Sequence, residues 1–143
     1  MPAEPVTRPD PDEVWGSLVR VAFDGRDGWR RAVVERTGLP FSRIRALTRL
    51  ARSGPMTLKQ LAHAATMDPP AATVTVNDLE ERGLVVRDTD PADRRAKLVT
   101  LTDAGRAVVA LVADTPDPAP APLREFTPTE LSALADMLRR LQE

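Results

Sequence analysis

The segment from Asp68 to Leu101 constrains the fold more than any other part of this chain. It begins with "DPP", where Asp68 can cap a helix and Pro69 suits the first helical position, and Gly83 can end that helix in the left-handed conformation. Two runs of alternating apolar and polar residues follow, "LVVRD" and "KLVTL", joined by the charged loop "TDPADRRA". This order predicts one helix followed directly by a two-stranded hairpin.

Three other helix starts carry capping sequences. "DPDE" places Asp10 before a proline, while "TLKQ" and "TPTE" each pair a threonine with a polar side chain three residues later. In a capping box these two side chains satisfy backbone N–H groups that a helix start leaves without partners. The sequences predict helix starts near residues 11, 58 and 128.

Apolar spacing and stop residues define the remaining helices. The first helix keeps a 3.6-residue period, should kink or break near "DGRDG", and should end around "RTGLP". A second helix should turn Ile44, Leu47 and Leu50 inward. The predicted helices after the first are residues 42–52, 58–66, 69 to 81 or 82, one that Thr102 caps, and 128–142.

Both ends of the chain carry apolar positions suited to pairing with a second copy. Val14 and Leu18 lie in the first helix, and the last helix has a heptad-like seam of Leu131, Leu134, Leu138 and Leu141. Such a short seam is unstable alone and must pack on something, so we expect a homodimer. The predicted regions are N-terminal dimerisation helices at 1–39, a central lobe at 40–102, and C-terminal dimerisation helices at 103–143 with a proline-rich spacer at 115–122.

Composition excludes several classes of site. The 143 residues include no cysteine, which rules out disulfides, thiolate metal sites and a cysteine redox switch. The single histidine, His63, cannot form a histidine metal site alone and has no evident nucleophile beside it, so we expect no metal, cofactor or enzyme activity. No apolar run reaches the roughly 20 residues of a membrane span, and the N-terminus lacks a signal-peptide core. We therefore expect a cytoplasmic protein that does not bind membranes.

Charge is segregated along the chain although the net charge is only −1. Residues 40–106 carry eleven basic and eight acidic side chains. Residues 1–39 carry six basic and seven acidic side chains, and residues 107–143 carry three basic and six acidic ones. Local fields matter more than net charge for docking on phosphates. The basic middle indicates a nucleic-acid surface, and the alternative is an ordinary mixed surface.

A short helix, a tight "TMDP" connection, a second helix and a hairpin together form a winged helix-turn-helix. The predicted fold is mainly α with a small β-hairpin wing. The helix that begins at Pro69 would enter the major groove of double-stranded DNA, and the hairpin tip would reach a neighbouring groove. At that tip Asp93 could clamp the guanidinium of Arg95 and aim it into a narrow minor groove, the alternative being a solvated ion pair. Arg94 and Lys97 would contact phosphates.

The stretch "LKQLAHAATMDPPAATVTVNDLEERGLVVRDTDPADRRAKLVTLTDAGR" resembles the winged-helix core of the MarR (multiple antibiotic resistance regulator) family. The resemblance rests on "LEERGLV", the Asp-x-Arg of "DRR", and "LVTLTDAGR", and it covers residues 57–106. It implies a dimeric DNA-binding regulator, usually a repressor of pseudo-palindromic operators. Many members release DNA when a small aromatic or phenolic ligand binds between the dimer helices and the DNA-binding lobe.

The recognition helix departs from the family pattern. Many members have arginine at the position of Val74, and the nearby Ala71 and Ala72 are apolar. This helix should therefore contact bases through Thr73, Thr75 and Asn77 and through apolar groups, with Val74 and Ala71 among the DNA-binding residues. Threonine and valine methyl groups can contact the thymine methyl, and asparagine can pair with adenine. The helix therefore predicts a preference for A·T pairs. Its outward face follows from the buried stripe expected at Ala72, Val76 and Leu79.

Several other positions have two interpretations. Thr57 caps a helix and could also contact phosphate, while Arg43 and Arg45 should point away from the core, either toward phosphate or into solvent. His63 is either an ordinary exposed residue or part of a ligand or pH-sensing site. Aromatic side chains could line a ligand pocket or simply pack in the core or dimer, and they are Trp15, Trp29, Phe23 and Phe41.

The leading function is a ligand-responsive, dimeric transcriptional repressor. The alternative is a winged-helix protein-interaction module without sequence-specific DNA binding, because one fold serves many functions.

Overall fold

Eight helices and one antiparallel hairpin make up residues 8–143, the part of the chain that the computed structural model describes. The elements are α1 (Pro11–Gly25), α2 (Asp27–Thr37), α3 (Phe41–Ser53), α4 (Leu58–Ala64), α5 (Pro69–Glu81), β1 (Val85–Thr89), β2 (Lys97–Leu101), α6 (Asp103–Ala113), α7 (Ala121–Arg124) and α8 (Pro128–Arg140). Residues 29–116 form one compact unit, and residues 8–28 with 117–143 form another. The predicted fold class, mainly α with a hairpin wing, is confirmed.

The core of residues 29–116 is formed by α3, α4, α5 and the hairpin. Ile44, Leu47 and Leu50 of α3 are buried, as their spacing predicts, in one cluster with Leu61 of α4 and Leu79 of α5. Burying each such side chain contributes roughly 1.5–3 kcal/mol relative to exposure. This cluster fixes α5 against α3 and α4 and so determines which face of α5 meets solvent.

Helix boundaries follow the sequence signals closely, and two helices end earlier than predicted. The break predicted at "DGRDG" is present, since α1 ends at Gly25 and α2 begins at Asp27. Helix α4 ends at Ala64, earlier than predicted, because Thr66 adopts a left-handed φ of 54° that stops the helix. The last helix ends at Arg140, two residues earlier than predicted.

The proline-rich spacer also differs from its prediction at one end. A short helix, α7, occupies Ala121–Arg124 and overlaps the predicted spacer by two residues. Proline has no amide hydrogen to lose in the first turn of a helix, so Pro122 is tolerated there.

The hairpin pairs β1 with β2 in antiparallel register, from Val85 opposite Leu101 to Thr89 opposite Lys97. Met56, just before α4, forms an isolated antiparallel bridge with Val99, in which the two residues exchange both backbone hydrogen bonds at 3.2 and 2.7 Å. The wing is therefore attached to the start of α4 as well as to α5.

The start of α6 closes the base of the wing. The Thr102 hydroxyl donates to the Gly83 carbonyl at 2.6 Å and accepts from the Gly105 amide at 3.1 Å, which confirms the predicted helix cap. A Cβ atom placed on Gly105 would lie 2.1 Å from the Leu84 carbonyl oxygen. Only glycine allows this approach of helix to strand.

The unit formed by residues 8–28 and 117–143 holds apolar side chains that it does not bury. Neither α1 nor α8 contains a buried residue, and the Arg26 guanidinium pairs with Asp117 at 3.0 Å within this unit. Among the described helices of the whole chain, none is both long and apolar enough to cross a membrane.

Candidate functional site

The outer face of α5 is exposed in the pattern that the sequence predicts. Ala72, Val76 and Leu79 are buried. The exposed positions are Ala71, Thr73, Val74 and Asn77. Val74 keeps 59% of its surface exposed, so its methyl groups are accessible on this face.

Thr75 does not belong to that outer face. Its side chain is only 2% exposed, and its hydroxyl accepts a long hydrogen bond of 3.5 Å from the Arg43 guanidinium. The prediction that Thr75 contacts bases is therefore wrong, because the helical period places it beside the buried stripe.

Capping side chains set the geometry of the helix-turn-helix. Thr57 and Gln60 form the complete capping box at the start of α4, with hydrogen bonds of 3.0 and 3.2 Å. Asp68 caps α5 by accepting from the Ala71 amide at 2.8 Å. The Thr73 hydroxyl donates to the Pro69 carbonyl at 3.1 Å, which leaves its oxygen lone pairs available as acceptors on the outer face.

Arg43 does not point away from the core as predicted. Its Nε donates to Asp78 of α5 at 2.9 Å, and Arg82 donates to the second oxygen of the same carboxylate at 3.1 Å. The hydrogen bond from Arg43, followed by that from Arg82, lowers the pKa of Asp78 below its ordinary value of 3.8. Arg43 thus joins α3 to α5 and is engaged within the protein.

Arg45 is likewise engaged within the protein rather than pointing away from it. It donates to the Ala65 carbonyl at 3.3 Å, and its guanidinium carbon lies 5.6 Å from the centre of the Phe41 ring. Phe41 lies four residues before Arg45 on the same helix, a spacing that brings two side chains of a helix together, whereas the Ala65 carbonyl is 20 residues away and is brought close by tertiary packing.

A polar network connects α5 to the wing. The Arg87 guanidinium of β1 donates to the Asn77 carboxamide oxygen, and its Nε lies 3.4 Å from a carboxylate oxygen of Glu80. Only 22% of the Arg87 side chain is exposed. Sequence reasoning missed this residue, although strand alternation from buried Val85 places Arg87 on the inner face of β1.

The wing tip is shaped by two aspartates that bond to the backbone. Asp90 accepts from the Ala92 amide at 2.9 Å, and Asp93 accepts from the Arg95 amide at 3.0 Å. The carboxylate of Asp93 therefore organises the loop instead of clamping the Arg95 guanidinium, which corrects the predicted contact. Such Asx turns fix the path of the loop and hence the origin of each side chain.

Three basic side chains project from this loop and the strand after it. Arg94, Arg95 and Lys97 are exposed, and within the described part of the chain none of them forms an ion pair. Most other arginines in the winged-helix unit are paired or packed. The wing tip therefore presents three cations, while its two aspartates, Asp90 and Asp93, bond to backbone amides.

The predicted ligand residues fall into separate groups. Trp29 and Phe41 form an edge-to-face ring pair with centroids 6.0 Å apart. Trp15 is 63% exposed on α1 and belongs to the other unit, while His63 is exposed in the last turn of α4. Within residues 29–116 the structure brings Trp29 and Phe41 together.

The predicted dimerisation residues are largely exposed in the single chain. Val14 is 48% exposed on α1, and Leu18 is half-buried. On and just after α8, Leu134 is half-buried and the exposed leucines are Leu131 (40%), Leu138 (39%) and Leu141 (66%).

Comparison with known proteins identifies the same core. Residues 39–97 match the model of the MarR family. YdgJ of Bacillus subtilis, an uncharacterized HTH-type transcriptional regulator, is 37% identical over 70 residues, which are 49% of this chain and 43% of that protein. The chain spans less than half the length of the curated relatives it matches.

Solved structures extend the likeness of fold over most of the chain. The apo form of MarR from E. coli is 20% identical with a TM-score of 0.72, and the match covers 90% of this chain and 96% of that one. BpsR of Bordetella bronchiseptica, whose DNA binding is regulated by 6-hydroxynicotinic acid, is 25% identical with a TM-score of 0.59 over 90% and 98% of the two chains. The winged-helix fold predicted from the sequence is confirmed.

Proposed function

Because residues 39–97 of this chain match the model of the MarR family, we propose that it is a homodimeric transcriptional repressor that binds a pseudo-palindromic DNA operator and responds to a small ligand. The observation that carries the proposal is a pair of exposed surfaces, the uncharged outer face of α5 at positions 71, 73, 74 and 77 and the basic wing tip at residues 89–97. The first suits the edges of bases, and the second suits phosphates or a minor groove.

The major groove would receive the N-terminal half of α5. Ala71, Thr73 and Val74 are all exposed there, and none of them carries charge, so this part of the helix can approach base edges closely. The Val74 side chain and the Thr73 methyl group suit contact with thymine methyls. Specificity from such contacts is modest, because each good base contact contributes roughly 1–3 kcal/mol of discrimination.

The wing would supply much of the affinity. Arg95 would enter the minor groove next to the major groove occupied by α5, and Arg94 and Lys97 would contact phosphates. The backbone bonds of Asp90 and Asp93 support this role, because a loop held in one path loses less conformational entropy on binding. Narrow A·T-rich minor grooves have enhanced negative potential, which favours an inserted arginine.

Dimerisation would place two copies of α5 on one face of the duplex. The exposed apolar residues of α1 and α8 favour a second copy of the chain as their cover, because a short amphipathic helix gains most of its stability from packing its apolar face. In a twofold dimer the two half-sites would lie about one helical turn apart, roughly 34 Å.

A substitution at the wing tip tests DNA recognition. Operator-length duplexes selected from a random library would be titrated by fluorescence anisotropy with wild type, Arg95→Ala, and the control Arg31→Ala. Arg31 is an exposed arginine of α2, outside the proposed interface. We expect Arg95→Ala to lose about 1–3 kcal/mol of binding free energy and Arg31→Ala to bind as wild type does.

Two results would contradict the proposal. Equal affinity of Arg95→Ala and wild type for the selected duplex would refute the role of the wing arginine. Failure of the selection to enrich any sequence, together with a shallow dependence of affinity on salt, would favour the interaction-module alternative, because phosphate contacts make DNA affinity fall steeply with salt.

A small aromatic ligand is the proposed effector. Support comes from BpsR, which a pyridine acid regulates, and from the Trp29–Phe41 ring pair, which has guanidinium groups nearby. An aromatic carboxylate would complement both the rings and the cations. Quenching of tryptophan fluorescence by 6-hydroxynicotinic acid, lost in Phe41→Leu, would support the site, and unchanged fluorescence across aromatic acids would count against it.

A further inference from the structure

Asn77, on the outer face of α5, already accepts a hydrogen bond from a residue outside its own helix. Its carboxamide oxygen accepts from the Arg87 guanidinium, and Arg87 is in turn held by Glu80 through a contact of 3.4 Å. Arg87 is mostly buried at the base of the wing, with 22% of its side chain exposed. The wing thus reaches a residue on the face that would meet DNA.

The chemistry of arginine fixes the orientation of Asn77. A guanidinium carries five N–H donors and no acceptor, so the carboxamide can face it only with its oxygen. The Nδ2 group, with two N–H donors, is then the part of Asn77 that remains for another partner. An asparagine without such a neighbour would be free to turn either end toward a base.

The orientation of Asn77 matters because bases differ in the hydrogen-bond donors and acceptors on their major-groove edges. Adenine is recognised by an asparagine that accepts from N6 with its oxygen and donates to N7 with its nitrogen. At Asn77 that oxygen would have to serve Arg87 and the base together. Guanine presents two acceptors, N7 and O6, which match two donors and need no acceptor from the protein.

We propose that Arg87 is a positioning residue that makes Asn77 a donor toward DNA, so that Asn77 favours guanine rather than adenine at one position of each half-site. This inference rests on the proposed DNA-binding function and changes one of its details. It revises the expectation from sequence that Asn77 pairs with adenine, while the A·T preference of Val74 and the wing is unaffected.

The test compares base preferences obtained by selection from one random DNA library. Wild type should enrich guanine at one position per half-site, and Asn77→Ala should lose that preference while the rest of the motif persists. Arg87→Met removes the guanidinium but keeps an unbranched apolar side chain, and it should shift the preference at that position toward adenine by about tenfold, the size of one good base contact.

Two further variants separate positioning from general damage. Arg87→Lys keeps a charged donor beside Asn77 and should retain the guanine preference. Arg82→Met removes an equal charge from the end of α5, where Arg82 bonds to Asp78 and not to Asn77, and it should leave the motif unchanged. Thermal unfolding of each variant would show that it is folded before selection.

The outcomes distinguish this inference from the function on which it depends. Adenine at the Asn77-dependent position of wild type, or the same motif for Arg87→Met and wild type, would overturn the inference and leave the DNA-binding function intact. Enrichment of no sequence by the wild-type protein would overturn both.

Discussion

At the scale of single residues, hydrogen bonds between charged side chains add to the apolar packing that holds α5 in place. Asp78 accepts from Arg43 on α3 and from Arg82 on its own helix, at 2.9 and 3.1 Å. Arg43 is a partly buried cation, with 20% of its side chain exposed. Removing its carboxylate partner would leave a partly desolvated charge without compensation, which costs more than the net strength of the pair.

Asp78→Asn should therefore weaken the fold in a way that depends on pH. The lowered pKa means that the aspartate contributes stability above about 3.8, its ordinary value, and loses that contribution as the pH falls through its lower value in the folded protein. Urea unfolding of both proteins should show wild type as the more stable at pH 7 and the difference shrinking below pH 3.8. A difference that stays constant from pH 7 to pH 3 would contradict the assignment.

Thr66 is a second residue whose local conformation has an energetic consequence. It adopts φ of 54° in the turn between α4 and α5, a region that costs a residue with a Cβ roughly 1–2 kcal/mol. Thr66→Gly would remove that cost at the expense of a more flexible unfolded chain, so we expect a net gain of roughly 0.5–1 kcal/mol. Urea denaturation would measure this change in the free energy of unfolding. A lower urea midpoint for the variant would show that contacts of the threonine side chain stabilise the fold by more than its backbone strain destabilises it.

At the scale of elements, the junction between the wing and α6 is the closest backbone approach around any described glycine. Thr102 hydrogen-bonds to Gly83 and caps α6, and this cap brings Gly105 against the carbonyl of Leu84. The motif "LTDAGR" is thus explained by packing: the threonine begins the helix and the glycine lets it touch the strand. The wing keeps its position because both ends of the hairpin are anchored.

Gly105→Ala should be destabilising although alanine is the better helix former. A methyl group would lie 2.1 Å from the Leu84 oxygen, so the helix or strand must move, and such overpacking costs roughly 1–3 kcal/mol. The matched control is Gly28→Ala on α2, where nothing lies within 4 Å of the added atom. The free energy of unfolding of this variant should rise by about 0.4–1 kcal/mol. Equal unfolding midpoints for the two variants in urea would refute this account.

At the scale of the whole molecule, the terminal helices α1 and α8 expose apolar side chains in the single chain. Leu131, Leu138 and Leu141 are between 39% and 66% exposed, and α8 has no buried residue at all. Solvent-exposed leucines at heptad-like spacing are typical of a helix that packs in an oligomer. A second copy of the chain is the partner that the proposed function requires.

Leu138→Asp should therefore disrupt the dimer. A carboxylate on the apolar face of α8 would be costly to bury, so the variant should sediment as a monomer at micromolar concentration while wild type sediments as a dimer. Ser132→Asp, on the same helix and exposed, is the control and should remain dimeric. A monomeric wild type would contradict both the dimer and the proposed half-site spacing.

The sequence alone determined the elements and their order. Capping residues marked helix starts that the structure confirms at Pro11, Leu58, Pro69 and Pro128, and Gly83 ends α5 with φ of 74°. These signals are readable because they act between residues three or four positions apart, within a single turn of the chain. The buried stripe of α5 was predictable for the same reason, apart from Thr75, which lies next to it.

Only the tertiary structure decided how the polar side chains are used. Arg43 meets Asp78, 35 residues later, and Arg87 meets Asn77 from the neighbouring strand. A charged residue has many potential partners, and its choice depends on which helices and strands the core brings together, so local spacing could not reveal these bonds. The close contact at Gly105 has the same origin, because it depends on where the hydrophobic core places Leu84, which lies 21 residues earlier and just before β1.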